Sequence, residues 1–463
     1  MELRFRLAIL VGKLAISVLR LVGRAASSFP GKVARHLCPG LLARLAGQCP
    51  EGCVLVTGTN GKTTTAKMIS DILTRRGLCV VHNRSGANLI AGITTAFVAA
   101  ADWRGRLHAD IGLIEADEAT VPLVAREAPL AVAVVTNFFR DQLDRFGELD
   151  TAVNLVRTGL AALPVTAVAA LNADDPLVAS LGDAGPRPVF YGLDDEAHAQ
   201  PEAPGTSDVR HCLACGSAYA YTAHFYSHLG KYRCPQCHVD RPEPAVRISD
   251  LTLSGAVGAT FTIVSAEGRL PIALSVPGLY NVYNALAAGA ACLAMGVDGR
   301  HVAGALTDFA SSFGRMERLT AGGRRILMAL VKNPAGFNEV IRTILSDTEE
   351  KGLLIAINDR YADGEDVSWL WDVDFERLAG ADGKAACVTV SGIRAEDMAL
   401  RLKYAGFDVA KLHVEKNLAK AFDGALAKVP SGGLLYILPT YTAMLSLRET
   451  MHRRRLVQRY WEV

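Results

Sequence analysis

Seven consecutive residues, Gly58-Thr59-Asn60-Gly61-Lys62-Thr63-Thr64, combine glycines, an ammonium group and hydroxyls. That combination suits polyphosphate binding. Glycines let backbone N–H groups close around phosphate oxygens at a helix N-terminus, where the helix dipole also favours an anion. Lys62 would reach the β- and γ-phosphates, and the Thr63 hydroxyl would hold Mg²⁺. The longer form of this loop carries a further glycine where Val56 stands, so the pattern is a shortened GxxGKT variant. Downstream, Glu115-Ala116-Asp117-Glu118 closes an apolar run. Carboxylates at a strand's C-terminal end suit a Mg²⁺ ligand or a base. Taken alone, a helix cap explains them as well.

A second constellation is Cys212-x2-Cys215 and Cys234-x2-Cys237, with eighteen residues between the pairs. The spacing is that of a zinc ribbon, in which two knuckles complete a closed thiolate tetrahedron around a structural Zn²⁺. His211, His224, His228 and His238 are nearby but not needed as ligands. The other six of the ten cysteines are scattered singly, as reduced thiols are in a cytoplasmic chain. The segment lacks the basic and aromatic density that nucleic-acid binding requires. A third set, Asp359, Asp363 and Asp366, follows an apolar run. Asp359 terminates it, where functional residues of parallel sheets gather, and the other two lie in the loop beyond. The alternative is that these acids shape the turn around Gly364.

The elements that must position these groups are legible as apolar runs. Strands are expected at 53–57, 111–114, 130–135 and 167–171, with a helix through Ala66, Met68, Ile69, Ile72 and Leu73 that ends at Gly77. From Gly322 the pattern restarts, with strands at 326–331, 352–358, 386–390 and 433–438. Strands alternating with helical patterns predict an α/β fold with parallel sheets and crossover helices.

The chain has 463 residues, half of them hydrophobic, and a net charge of +2. Its mean hydropathy is +0.21. Such a chain is not disordered and is long enough for about three domains. The average hides an outlier. Residues 1–50 carry eight basic residues against Glu2, a local charge of +7, which leaves −5 for the rest. Arg4, Arg6, Lys13 and Arg20 interrupt the opening apolar stretch, so neither a spanning helix nor an export signal fits. Two readings stand: a basic amphipathic helix on an anionic membrane at the inner face of the cell, or a helix packed on the next domain.

GTNGKTT, EADE, TNxxxDxxDR and LNADDP, in that order, resemble the central ATPase domain of Mur ligases and folylpolyglutamate synthases. PGLYNVYNA resembles their GxxNxxNxxAA helix start, and Phe313-Gly314-Arg315-Met316-Glu317-Arg318 matches their arginine before the last domain. The resemblance implies ATP-driven formation of an acyl phosphate that an amine then attacks. It implies that Lys62 and Thr63 hold phosphate and Mg²⁺, that Glu115 binds Mg²⁺, and that Asn172 and Asp175 lie near the adenine. Arg315 belongs to the same implied ATP site. The chain departs from the pattern at Gln142, where DHxDR has histidine. No lysine occurs from Asp141 to Asn172 to supply the carbamylated residue of many relatives. About fifty residues precede the loop, too few for the usual domain that holds a UDP-linked precursor.

KNPAGFNEV, NDRYADGEDVSWLWDVDFE and LPTYTAML, together with the four-cysteine insertion, resemble the MurT family, the synthetase subunits of lipid II isoglutaminyl synthase. That resemblance implies amidation of the D-glutamate α-carboxylate in the lipid II stem peptide. It also implies a GatD-type glutamine amidotransferase partner that supplies ammonia and whose Cys-His site is completed by an aspartate of this chain, Asp359 before Asp366. Expected segments are a basic start at 1–50, a central ATPase domain at 51–318 with the ribbon at 208–240 inside it, and a C-terminal α/β, Rossmann-like domain at 319–463. The rival readings are a self-sufficient amino-acid ligase and a non-catalytic nucleotide-binding scaffold.

Overall fold

The computed structural model describes residues 2–22, 27–84, 87–141, 149–200, 208–311, 314–380 and 385–457. The chain opens with three helices, α1 (Glu2–Leu21), α2 (Phe29–Leu37) and α3 (Leu41–Ala46). Strand β1 (Cys53–Thr57) is buried along its whole length and leads into α4 (Lys62–Arg75). Next come β2 (Val80–His82), helix α5 (Ile90–Ala100), β3 (Ile111–Glu115), β4 (Leu130–Val135), β5 (Val168–Asn172) and β6 (Arg187–Leu193). The hairpin β7 (Ala220–Tyr226) and β8 (Leu229–Arg233) precedes β9 (Val246–Leu253), β10 (Ala259–Ser265) and β11 (Gly268–Leu274).

Nine of these strands form one sheet in the order β11-β10-β9-β6-β5-β4-β1-β3-β2. Its β2-to-β9 part is parallel, and β10 and β11 add an antiparallel edge. Helices cover both faces, which is why β1, β3 and β5 are buried at every residue rather than alternating. The second sheet comprises β12 (Arg315–Ala321), β13 (Arg324–Ala329), β14 (Lys351–Ala356), β15 (Ala385–Ser391), β16 (Leu412–Val414) and β17 (Leu434–Pro439). Its order is β12-β13-β17-β14-β15-β16, parallel except for the β12–β13 hairpin. Strands β6 to β12 and short β2 and β16 were not among the expected runs, because strands that alternate, start polar or span three residues leave a weaker mark in sequence.

The basic start packs on the first sheet's helical layer. One face of α1 (Phe5, Ala8, Ile9, Gly12 and Ile16) is buried. At Gly31 in α2 the backbone N–H donates to Thr95 Oγ1 of α5 at 2.8 Å, and an added Cβ would stand 1.9 Å from Ala91 O. Arg35 forks onto Glu127 with two 2.7 Å bonds. The opposite face of α1 is another matter, taken up below.

The cysteine-bearing segment between β6 and β9 is anchored by one buried acid. Asp174 Oδ1 accepts from Arg241 Nε at 2.5 Å, and its Oδ2 accepts from Tyr283 OH at 2.7 Å and Leu193 N at 2.8 Å. Arg241 Nη2 continues to Leu193 O at 3.0 Å. Three parts of the chain thereby share one desolvated ion pair. Asp174→Ala strands the Arg241 guanidinium and is expected to lower stability by about 3–5 kcal/mol, read by urea denaturation. A loss below about 1 kcal/mol would show that the pair anchors nothing.

Candidate functional site

The loop after β1 passes through two left-handed glycines, Gly58 at φ +116° and Gly61 at φ +86°. A Cβ on Gly58 would stand 2.4 Å from Thr136 Oγ1, and one on Gly61 would stand 2.1 Å from Asn284 Oδ1. Both conformation and space therefore demand glycine. The end of β4 braces the loop. Thr59 N donates to Asn137 O at 2.8 Å, Asn60 N to Asn137 Oδ1 at 2.9 Å, and Thr136 Oγ1 to Asn60 O at 2.7 Å. Thr64 and Thr65 are buried, and Thr65 Oγ1 donates to Asn284 Oδ1 at 3.3 Å.

Lys62 begins α4 and folds back, with its Nζ donating to Gly58 O at 2.6 Å. Asp117 lies 3.5 Å from the ammonium and Glu118 3.9 Å. Burial works against the charged form, but Glu118, Asp117, Glu115 and Asp141 outweigh it and hold the amine above the ordinary lysine range. Thr63 Oγ1 donates to Glu115 Oε1 at 2.9 Å. Burial pushes the Glu115 carboxyl up against the pull of Lys62, and its Oε2 has no hydrogen-bond partner among the described residues. A buried carboxylate oxygen left over beside a threonine hydroxyl is the donor set a small hard cation takes. These residues therefore fit Mg²⁺.

The C-terminal sheet closes over this loop. Lys332 and Asn333 lie just beyond β13, after Leu330 and Val331. Lys332 Nζ donates to Thr59 O at 3.3 Å and pairs with Asp141. Asn60 and Asn333 exchange side-chain amide bonds of 3.3 and 3.1 Å. Asn333 also caps the helix Pro334–Ser346 by accepting from Gly336 N at 2.9 Å. Between the two sheets lies a small cleft, open to solvent and lined by Asn60, Gly61, Thr64, Asn284, Arg315, Lys332, Asn333 and Glu339 among others. Arg315 faces the Glu115 side of this cleft, with burial working against its charge.

Asn172 and Asp175 sit elsewhere. Both are buried beneath the loop, and neither lines the cleft. Asn172 Nδ2 donates to Thr136 O at 3.1 Å, while Asp175 accepts from Phe138 N, Leu177 N and Val178 N. Their polar atoms hold β4 and β5 in register with the next helix. Gln142, Asp144, Arg145 and Phe313 lie outside the described residues.

The three aspartates after β14 have three different fates. Asp359 is partly exposed and pairs with Arg394 Nε at 2.9 Å. Asp363 is buried and accepts from Thr442 N at 2.7 Å, which pins its loop to the helix Tyr441–Arg453. Asp366 is exposed and accepts from Ser368 N and Oγ, both at 2.8 Å. The four cysteines meet with all Sγ atoms within 4.8 Å of one another. Cys212–Cys237 and Cys215–Cys234 Sγ separations are 3.5 and 3.4 Å, and all four are free thiols. Zn–S bonds of about 2.3 Å place tetrahedral sulfurs about 3.8 Å apart, so the cluster fits one Zn²⁺.

Sequence reasoning missed Tyr226, Tyr280 and Glu339, all lining the cleft. Tyr226 arrives from the hairpin of the cysteine insertion and packs 5.8 Å from the Phe139 ring and 5.6 Å from that of Tyr283. Glu339 had a signal, an acid on the apolar face of KNPAGFNEVIRTIL. It is 4% exposed, and Oε2 has no hydrogen-bond partner among the described residues. Burial raises its carboxyl to about 7, and Arg342 and Arg377 only partly oppose this. A raised acid stabilises the fold below its unfolded pKa, and that contribution is lost as pH climbs from about 4.5 through 7. Glu339→Gln removes the titration. Relative to the parent, its stability should therefore improve by about 3 kcal/mol between pH 4.5 and pH 8, measured by denaturant midpoints. Parallel pH profiles for the two proteins would refute this.

Residues 56–292 match the Mur ligase middle domain family, and residues 330–444 match the MurT ligase C-terminal family. The chain is 34% identical to the lipid II isoglutaminyl synthase (glutamine-hydrolyzing) subunit MurT of Staphylococcus aureus strain COL, over 96% of this chain and 97% of that one. It is also 34% identical to the Streptococcus pneumoniae R6 protein of the same name, over 99% of both. A pseudomurein peptide ligase type C from Methanothermus fervidus shares the fold, with a TM-score of 0.66 and 23% identity over 87% of this chain and 78% of that one. Two sheets clamped around a phosphate loop, a family match at each, and two relatives aligned end to end lead to one placement: the chain belongs to the MurT family of ATP-dependent Mur-type ligases.

Proposed function

We propose that this chain amidates the D-glutamate α-carboxylate of the lipid II stem peptide to D-isoglutamine, using ATP and ammonia. The observation that carries the reading is the phosphate loop. Its lysine sits among four carboxylates, and it is closed by Lys332 and Asn333 in a chain related end to end to isoglutaminyl synthase subunits. A carboxylate is a poor acyl donor because its leaving group would be oxide. Its oxygen instead attacks the γ-phosphorus of ATP, the bond to the ADP oxygen breaks, and an acyl phosphate forms. Ammonia nitrogen then attacks the acyl carbon, the C–O bond to phosphate breaks, and the nitrogen loses a proton.

Lys62 and the N–H groups from Gly61 to Thr64, at the start of α4, bind the transferred charge. Arg315 and Lys332 bring further positive charge from the C-terminal side. Thr63 and Glu115 hold Mg²⁺, which screens phosphate charge when bound. Asn172 and Asp175 act on the nucleotide by shaping the strand ends under it. Cys212, Cys215, Cys234 and Cys237 hold a structural Zn²⁺ that fixes the insertion whose hairpin delivers Tyr226. Ammonia comes from a GatD-type glutaminase subunit, to whose catalytic site Asp359 contributes a carboxylate. Asp366 is second in line, and Asp363 serves the loop between them.

The test supplies ATP, D-glutamyl lipid II and either ammonium or glutamine with the partner. Amide product with ammonium supports the reading. Mass gain by an amino-acid residue would favour an amino-acid ligase, and no ATP turnover would sink both. Lys62→Ala should reduce both activities by about 100-fold or more. Asp359→Asn should impair the glutamine-dependent reaction alone, and an equal loss with ammonium would remove it from the partner's site. Cys212→Ser should drop zinc from about one per chain toward none by elemental analysis. Unchanged metal content would refute the ribbon.

A further inference from the structure

The outward face of α1 carries Leu3, Leu7, Leu10, Leu14, Val18 and Leu21, each between 44% and 86% exposed. They recur every third or fourth residue and so form one continuous stripe, opposite the buried face of Phe5, Ala8, Ile9, Gly12 and Ile16. Solubility alone gives no reason for six large apolar side chains in a row in water. Arg6, Lys13 and Arg20 recur every seventh residue and fall on a second row beside the stripe, while Arg4 lies on its other flank. Arg4 and Arg20 have no ion-pair partner among the described residues. Lys13 Nζ sits 5.4 Å over the ring of Trp103, itself 57% exposed. An amphipathic aromatic beside a basic row is the composition of a membrane–water boundary.

We propose that α1 lies flat in the headgroup region of an anionic lipid bilayer, its leucine stripe among acyl chains and its arginine row on lipid phosphates. The charge selects the occupant: α1 carries Arg4, Arg6, Lys13 and Arg20 against Glu2, a charge of +3 bordering an apolar strip, which is complementary to an anionic surface. Length and polarity select the mode. No helix among the described residues is long and apolar enough to cross a membrane. Twenty residues of α1 span about 30 Å along the surface instead. The other face of α1 is fixed on the first sheet's helical layer, so docking would hold the whole cleft near a lipid-linked acceptor. This last consequence rests on the reading above, but the docking itself does not.

The test is cosedimentation of the full chain with phosphatidylcholine vesicles, with and without phosphatidylglycerol. Binding is expected only with the anionic lipid and should weaken with salt. Leu10→Glu combined with Leu14→Glu should cut partitioning at least about tenfold, and Arg6→Gln combined with Arg20→Gln should abolish the preference for phosphatidylglycerol. Both variants should keep the parent's nucleotide affinity and thermal midpoint, since neither pair faces the cleft or the core. Absence of parent binding at low salt, or variants that bind like the parent, would overturn the proposal. So would a parent that self-associates through this face while its monomeric variants retain full vesicle binding. Amidation activity enters none of these measurements, so failure here is distinguishable from failure of the catalytic reading.

Discussion

The reciprocal amide pair between Asn60 and Asn333 joins two parts of the chain 273 residues apart. Each bond is worth about 1 kcal/mol, and the pair's importance is geometric rather than energetic. Asn60 belongs to the phosphate loop, and Asn333 caps the helix that carries Glu339. Holding them in register brings Lys332 onto the Thr59 carbonyl and Asp141, and sets Arg315 on the Glu115 side. Without that register the molecule has a phosphate loop open to water and a sheet with no ligand. With it, residues of both sheets line one cleft beside the loop.

The electrostatics of the site follow from this closure. Lys62 is desolvated yet stays charged, because four carboxylates surround it. Lys62, Lys332 and Arg315 together fall one charge short of these four acids, and Glu115 Oε2 is left with no donor among the described residues. Such an excess in a buried place is costly unless a cation joins it. The same excess that would strain the free protein makes the site ready for a divalent ion with its polyphosphate.

The cysteine insertion is part of this site rather than an appendage. Its hairpin places Tyr226 in the cleft wall, and buried His228 lies 3.3 Å from Asp175 and 4.9 Å from the Phe139 ring. Asp174, the neighbour of Asp175, binds the far end of the insertion through Arg241. Four thiolates drawn to one ion would fix the outer end of the same segment. Rigidity gained there would reach the cleft through the β7–β8 hairpin.

Local chemistry was legible in the sequence alone. The phosphate loop, the long apolar strands, the cysteine spacing and the charged start depend on neighbours a few residues apart, and periodicity records such neighbours. Side chains whose role depends on distant packing were not legible. Asn172 and Asp175 look like ligand-binding groups, and only the fold shows that their polar atoms also hold strand ends. Glu339 looks like one acid on a helix, and only the second sheet's position makes it a desolvated, half-unpartnered carboxyl. For α1 the sequence left two readings open, membrane surface or domain packing. The fold assigns packing to one face and leaves the other apolar and exposed, because a helix of this radius can bury only one side against a flat layer. Sequence determined which groups exist and in which local frame. Tertiary structure decided which of them meet, because desolvation and contact are set by residues hundreds of positions away.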